Sequence, residues 1–551
     1  MKIALAQLNY HIGNFDHNSK KIINAIKEAE QENIDLIIFS ELSICGYCPL
    51  DLLEQKSFIK NCLKTLDHIK TFTQNIGVIL GLPTINEKEK GKNLFNSAAF
   101  IYQGTVKKIF NKTLLPTYDI FDEYRYFEPN NIFELLEFKN KKIAVTICED
   151  LWDDQKVYGN FDKEALYKNA PLEHLSKLNP DFVINISASP YSYNQAKDRE
   201  EIIVKNAIKY SFPIIYVNQT GANTDLIFDG GSFVVDKKGN KILGCRYFEE
   251  DVRHIDLNNQ DTYYKNIPEI PDKIEGIYNA LVLGIKDYFA KSGLKNAVIG
   301  LSGGIDSAVT LAIIIEALGN ENVTTLLMPT KYSSQHSIDD SIEMANRCNV
   351  NYHILNIEKL RIEFDKTLHD IFINTKPNVT EENIQARIRG NILMAYSNKF
   401  GNIVLNTSNK SELAVGYSTL YGDMNGALSV LGDVYKTDVY KLANYINKTK
   451  GNIIPENIII KEPSAELRPD QKDNDSLPDY DVLDSVLFAY IEQKLSTEEI
   501  KYKGINTEIV DHILRLVNFS EYKRSQAPPT LRVSSKAFGS GRKMPIVAKF
   551  N

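Results

Sequence analysis

Eight consecutive residues, Gly300-Leu301-Ser302-Gly303-Gly304-Ile305-Asp306-Ser307, have the makeup of a phosphate-holding loop. Glycines let a backbone approach phosphate oxygens. A helix starting just beyond them presents free N–H groups and the positive end of its dipole. Ser302 and Ser307 can add hydrogen bonds, and Asp306 can hold a Mg²⁺ that offsets phosphate charge. This is not a Walker loop, because the only Gly-Lys pair, Gly91-Lys92, is followed by Asn93 where Ser or Thr is required. A thiol, a carboxylate and an amine stand out in the first half. Cys148 ends the apolar run Ile143–Ile147, Glu41 follows Leu36–Phe39 through Ser40, and Lys112 follows Val106–Phe110 through Asn111. A thiol at a strand end that opens a turn can be activated by backbone dipoles and a nearby base. Taken singly, a cysteine in that position is usually core packing.

The elements around these residues follow from the apolar patterning. Ile3–Leu8 reads as a strand. Ile22, Ile23, Ile26 and Ala29 fall at helical spacing, and further strands are expected at Val78–Leu80, Ser97–Ile101, Phe182–Ile186, Ile214–Val217 and Ser232–Val235. That rhythm predicts an α+β layered fold around packed sheets. The polar segment from Leu257 to Pro271, with Asn258, Asn259, Gln260 and Asp261, marks the domain boundary. A helix follows, with Ile274, Ile277, Leu281, Ile285 and Phe289 on one stripe. Next come strand Ala297–Leu301, the glycine loop, helix Ser307–Leu318, strand Thr324–Met328, helix Ser337–Cys348 and strand Tyr352–Leu355. That order predicts a doubly wound parallel sheet. Residues 461–480 are charged and proline-containing, the composition of a long loop or lid.

Composition narrows the function class. The chain has 551 residues, 43% hydrophobic and 25% charged, and a net charge of −7. These are ordinary globular values with no global basic character, so neither a fibre nor a nucleic-acid-binding surface is expected. The longest apolar stretch, Ala308–Leu318, is broken by Thr310 and Glu316 and falls short of a membrane span. Six cysteines make no disulfide framework, and no leader opens the chain, so the expected compartment is the cytoplasm. Cys45-Gly46-Tyr47-Cys48 lacks the second pair that zinc would need, which leaves it a structural role.

The glycine octet resembles the pyrophosphate loop of the N-type ATP pyrophosphatases. Other segments narrow the likeness. They are Asn383-Ile384-Gln385-Ala386-Arg387-Ile388-Arg389-Gly390, Thr407-Ser408-Asn409-Lys410-Ser411-Glu412, Gly416–Asp423, Asp433-Val434-Tyr435-Lys436-Thr437 and Ser464–Asp473. This set resembles the NAD synthetases over residues 270–551. The resemblance implies a doubly wound α/β domain of the adenine nucleotide alpha hydrolase-like type that adenylates deamido-NAD and then amidates it with ammonia. It implies that Gly300, Leu301, Ser302, Gly303, Gly304, Ile305, Asp306, Ser307 and Thr407 contact ATP. Asn383, Glu412 and Lys523 would contact deamido-NAD, and Asp306 with Glu412 would ligate Mg²⁺. Each also has a plainer reading: Glu412 as an acid favoured at a helix N-terminus, Lys523-Arg524 as a surface pair. Arg387 and Arg389, two apart on a helix, cannot share a face.

Glu41, Lys112 and Cys148 at three strand ends resemble the nitrilase (carbon–nitrogen hydrolase) superfamily over residues 1–260, which implies an α-β-β-α sandwich. The implied roles are Glu41 as general base, Lys112 as oxyanion stabiliser and Cys148 as nucleophile. Glu123 matches a second glutamate beside that triad, and Tyr118 and Ser189 match glutamine-binding positions. Six residues after that serine, where Lys or Arg is usual, stands Gln195. Either Lys197 reaches the substrate carboxylate through a shifted loop, or that contact is weaker or made otherwise. Together the resemblances imply glutamine-hydrolysing NAD synthesis in a homo-oligomer, with no redox cofactor. Two alternatives remain: the same ATP module amidating another nucleotide such as xanthylate, or an ammonia-only synthetase whose first half is an inactive scaffold.

Overall fold

The computed structural model describes residues 1–152, 166–257, 267–502 and 504–549. Asn258, Asn259, Gln260 and Asp261 of the expected boundary lie outside the described residues. The chain divides into two compact units, Met1–Pro271 and Asp272–Asn551.

The first unit is built on two six-stranded sheets. One runs in the order Asp251–Asp256, Lys2–Gln7, Leu36–Ile38, Gly77–Ile85, Leu94–Tyr102, Thr105–Asn111. The other runs Lys241–Gly244, Phe233–Val235, Ile214–Asn218, Phe182–Ser187, Lys141–Ile147, Leu136–Phe138. Alternation along each strand explains the layering. Ile3, Leu5, Leu36 and Ile38 share a core with Ile143, Val145, Ile147, Ile184 and Ile186 of the facing sheet. Ala4, Ala6, Ile37, Val78 and Leu80 point the other way, onto Ile22, Ile26, Ile59 and Leu66 of the helices Phe15–Gln31 and Lys56–Lys70. Ala144, Val183 and Ile214 likewise meet Leu172, Leu175, Ile203 and Ala207 of Pro171–Ser176 and Gln195–Tyr210. The result is the expected α-β-β-α sandwich. Strands buried on both faces read as continuous apolar runs, which made them legible. Asp251–Asp256 was not anticipated: it is an edge strand whose Val252, Arg253 and His254 are exposed, so it has the composition of a loop.

In the second unit five parallel strands lie in the order Asn351–Ile354, Val323–Leu327, Ala297–Gly300, Ile403–Asn406, Leu428–Ser429. This is the expected doubly wound sheet. Helix Val379–Phe400 packs on it through Ile384 and Ile388, against Val298, Leu326 and Val404. Helix Ile305–Leu318, buried almost all round, packs on the central strands and on helices Lys273–Lys291 and Lys436–Lys450. A helical layer around Leu483, Leu487, Val510, Ile513 and Val517 completes the unit. Of the loop expected over residues 461–480, residues 461–472 form no regular element, while a short 3-10 helix stands at Asp473–Asp475 and helix Tyr480–Ile491 begins at its end. Among the described residues no helix is long and apolar enough to cross a membrane.

Candidate active sites

In the first unit three strand ends bring the reactive side chains together. Lys112, one residue beyond Thr105–Asn111, is completely buried and donates to Glu41 Oε1 at 2.7 Å and to Glu123 Oε1 at 2.8 Å. Glu41 also accepts from Asn96 Nδ2 at 2.7 Å and from the Ala188 N–H at 2.9 Å, while Tyr47 donates to Glu123 at 2.9 Å. The backbone at Glu41 can lie this close to its neighbouring strand because that strand carries Gly81 there. A Cβ on Gly81 would sit 2.2 Å from the Leu42 nitrogen. Burial works against the Lys112 charge, but the Glu123 and Glu41 carboxylates hold its pKa well above the ordinary amine value. Cys148 follows Lys141–Ile147 with φ +45° and opens the short helix Cys148–Leu151. Burial and the Glu41 charge push its thiol up, and Lys112 opposes them. A thiol pushed up in this way calls for a base to activate it.

Tyr118 donates to both oxygens of Glu149, at 2.9 and 3.0 Å, and Tyr167 donates to Glu149 Oε1 at 2.8 Å. Burial pushes Glu149 up to about 7. Glu149 and Tyr167 were not picked out from the sequence. The one available signal was that Glu149 is a charged residue directly after a thiol at a strand end. Ser189 is buried, its N–H donating to Asn218 Oδ1 at 2.9 Å. Lys197 is not brought to this cluster. Gln195 begins the regular helix Gln195–Tyr210, so no shifted loop exists, and helical geometry turns Lys197 outward. Its side chain is 74% exposed and lies 3.9 Å from Glu201, one turn on. Arg199 faces inward instead and is paired with Asp229 at 3.1 and 2.8 Å. All six cysteines are free, and Cys45, expected to be structural, is fully buried.

In the second unit a cleft of ≈ 320 Å³ is lined by residues 300–307, Arg389, Thr407, Glu412, Lys436 and Asp473. The loop connects Ala297–Gly300 to Ile305–Leu318. Ser302 Oγ accepts from the Gly304 N–H at 3.2 Å, and Ser307 Oγ donates to the Gly304 carbonyl at 2.9 Å. Asp306 accepts from Asn409 Nδ2 at 2.9 Å and pairs with Lys436, whose ammonium also lies 3.5 Å from Glu412. Burial and the Asp306 charge push Glu412 up to about 8, with Lys436 opposing. The plainer reading of Glu412 holds as well. It starts helix Lys410–Val415, its N–H donating to Asn409 Oδ1 at 2.9 Å and its Oε2 accepting from the Asn409 N–H at 3.4 Å. Asn383 and Lys523 meet the 416–423 loop and do not line the cleft. Asn383 Oδ1 accepts from Thr419 at 2.8 Å, and Lys523 donates to the Gly416 and Ser418 carbonyls at 2.6 and 2.7 Å. Lys523 is thus no free surface group, and burial lowers its pKa. Arg387 and Arg389 diverge as expected. Arg387 donates to the Leu420 carbonyl at the exposed side, whereas Arg389 is half-buried, donates to the Met328 carbonyl and is lowered to about 10 by desolvation.

The carbon–nitrogen hydrolase family matches residues 2–264, and the NAD synthase family matches residues 277–527. The glutamine-dependent NAD(+) synthetase of Synechocystis sp. is 45% identical over 100% of this chain and 99% of its own length. This chain belongs to the glutamine-dependent NAD(+) synthetases. The synthetase of Acinetobacter baylyi is 43% identical over 99% of this chain and 98% of its own. The solved structure of the glutamine-dependent NAD(+) synthetase of Acinetobacter baumannii, in complex with ADP, has TM-score 0.77 and 41% identity over 99% of this chain and 98% of its own. The enzyme is a ligase of NAD biosynthesis. Full-length likeness to the glutamine-dependent NAD(+) synthetases leaves neither the other-nucleotide reading nor the ammonia-only reading any support.

Proposed function

We propose that the first unit (residues 1–260 as its catalytic domain) releases ammonia from L-glutamine and that the second (residues 270–551) uses ATP to place that nitrogen on deamido-NAD. The observation that carries the first half is the buried ammonium of Lys112 shared by Glu41 and Glu123 beside Cys148. Glu41 takes the thiol proton as Cys148 attacks the carboxamide, and Lys112 stabilises the oxyanion that forms. The proton passes to the leaving ammonia, and water activated by Glu41 then frees glutamate from the thioester. Glu149, a carboxylate braced by Tyr118 and Tyr167, is suited to the α-ammonium of glutamine. Ser189 is buried nearby in sequence to the helix that Gln195 begins. Lys197 points away, so the substrate carboxylate is held without it.

In the second unit residues 300–307 and Thr407 would hold ATP. Asn383, Glu412 and Lys523 would hold deamido-NAD, whose carboxylate displaces pyrophosphate from the α-phosphorus; ammonia then displaces AMP. Asp306 and Glu412 fit Mg²⁺: two hard oxygen donors share one ammonium, and burial together with the Asp306 charge pushes Glu412 up to about 8. When bound, Mg²⁺ would neutralise charge on the transferring adenylyl group and the pyrophosphate. The deciding assay is NAD formation from deamido-NAD, ATP and Mg²⁺ with glutamine or ammonium, for wild type and Cys148→Ala. The expected outcome is that wild type uses both sources and Cys148→Ala only ammonium. Glutamine use by Cys148→Ala would sink the thiol reading.

A further inference from the structure

Asp150, two residues beyond Cys148, makes contacts that starting a helix does not require. Its Oδ2 accepts from the Ile147 N–H at 3.0 Å, the usual way an acid in a first turn closes back on the residue before it. Its Oδ1 accepts from the Thr113 N–H at 3.0 Å and the Leu114 N–H at 2.9 Å. Those two donors belong to another strand end, immediately after Lys112. One buried carboxylate thus joins the residue following Lys112 to the residue preceding Cys148. Asn185 steadies the same turn from a third strand, donating to Thr146 Oγ1 at 3.0 Å and to the Cys148 carbonyl at 3.3 Å. Burial pushes the Asp150 carboxyl up to about 7 against the pull of these backbone donors.

We propose that Asp150 is a positioning residue of the thiol site, its carboxylate fixing the separation of the Lys112 ammonium and the Cys148 sulfur by clamping the two strand ends that carry them. The inference rests on the reading of Cys148 as nucleophile. Three N–H donors need acceptors on both oxygens. Asparagine offers one acceptor oxygen, and its NH₂ would face an N–H. The strand ends would then part, and a displacement of about 1 Å between reacting groups costs about 100-fold.

The test uses the full chain carrying Asp150→Asn or Asp150→Glu. Readouts are glutamate release, thermal unfolding and ammonium-dependent NAD formation. Glutamate keeps both acceptors but moves them by one methylene, so it carries the test if the asparagine variant does not fold. Expected for either folded variant is a kcat for glutamine lower by about 100-fold with KM changed less than about threefold, a split that loss of substrate binding would not give. Ammonium-dependent synthesis stays at the wild-type rate. Wild-type kcat in a folded variant overturns the proposal. So does a raised KM with kcat unchanged, which would make Asp150 a binding group, or failure of both variants to fold, which would make it purely structural. Cys148→Ala run beside them separates the two readings. If it keeps glutamine turnover, the nucleophile assignment has failed. If it loses turnover while the Asp150 variants keep theirs, only the clamp has.

Discussion

Lys112 and Glu149 are both buried charges, and their neighbours give them opposite behaviour. Lys112 sits between two carboxylates and keeps its proton, whereas Glu149, among the described residues, has two phenols and no ammonium hydrogen-bonded to it. Burial therefore raises Glu149 to about 7, well above a free carboxyl. Its charged fraction grows as pH rises, and only the charged form attracts the ammonium of glutamine. KM for glutamine should accordingly fall as pH goes from 6 to 8, by at most about tenfold per unit on the acid side of that pKa. In Glu149→Gln, KM should be high and independent of pH over the same interval. Steady-state kinetics of glutamate release at several pH values checks this, and a flat KM in the wild type would send the amino group elsewhere. Residue types announced this chemistry, but partners did not. Glu149 was passed over because a charge after a strand is ordinary. Lys197 was singled out by counting from Ser189, and helix geometry turned it away.

At the level of elements, the phosphate loop depends on one glycine more than on the others. Gly303 has φ +79°, and a Cβ there would lie 2.4 Å from the Ser337 carbonyl oxygen of the adjoining helix. Gly303→Ala therefore cannot be absorbed by a side-chain movement. It should cost the second unit about 1–3 kcal/mol and abolish NAD formation from either nitrogen source while glutamine hydrolysis continues. Thermal unfolding with both assays checks it, and an active, equally stable variant would show that the loop can re-form. The segment at residues 461–480 was legible as a long loop or lid from its charges and proline, but what its first part packs on was not. That follows from Glu466, which accepts from Ser334 and Ser337 at 2.9 and 2.8 Å and from Lys461 at 2.7 Å, pinning the loop to the start of helix Gln335–Arg347.

Over the whole molecule, each unit buries its own apolar core: facing sheets flanked by helices in the first, a parallel sheet and a helical layer in the second. A chain of that size can fold on its own core. Residues 272–551 produced alone should be folded by circular dichroism and should make NAD from ammonium but not from glutamine. An unfolded fragment would show that its core depends on residues 1–271. Buried charge supports autonomy of the second unit: Lys410, fully buried, pairs with Asp433 at 2.9 Å and Glu492 at 3.1 Å, all within it.

The sequence by itself determined which chemistries were present and on what kind of element. A thiol, a carboxylate and an amine each end an apolar run, and a glycine loop sits between strand and helix, because side-chain alternation and backbone freedom are local properties. Tertiary structure decided which of these groups meet. Glu41, Lys112, Glu123 and Cys148 come from four separate stretches. Their contacts depend on strand order and on which sheet faces which, and neither leaves a local trace. The same holds for Asp306 and Glu412, 106 residues apart in the numbering and joined through Lys436. Spacing along a chain sets periodicity; only packing sets neighbours, and pKa values follow the neighbours.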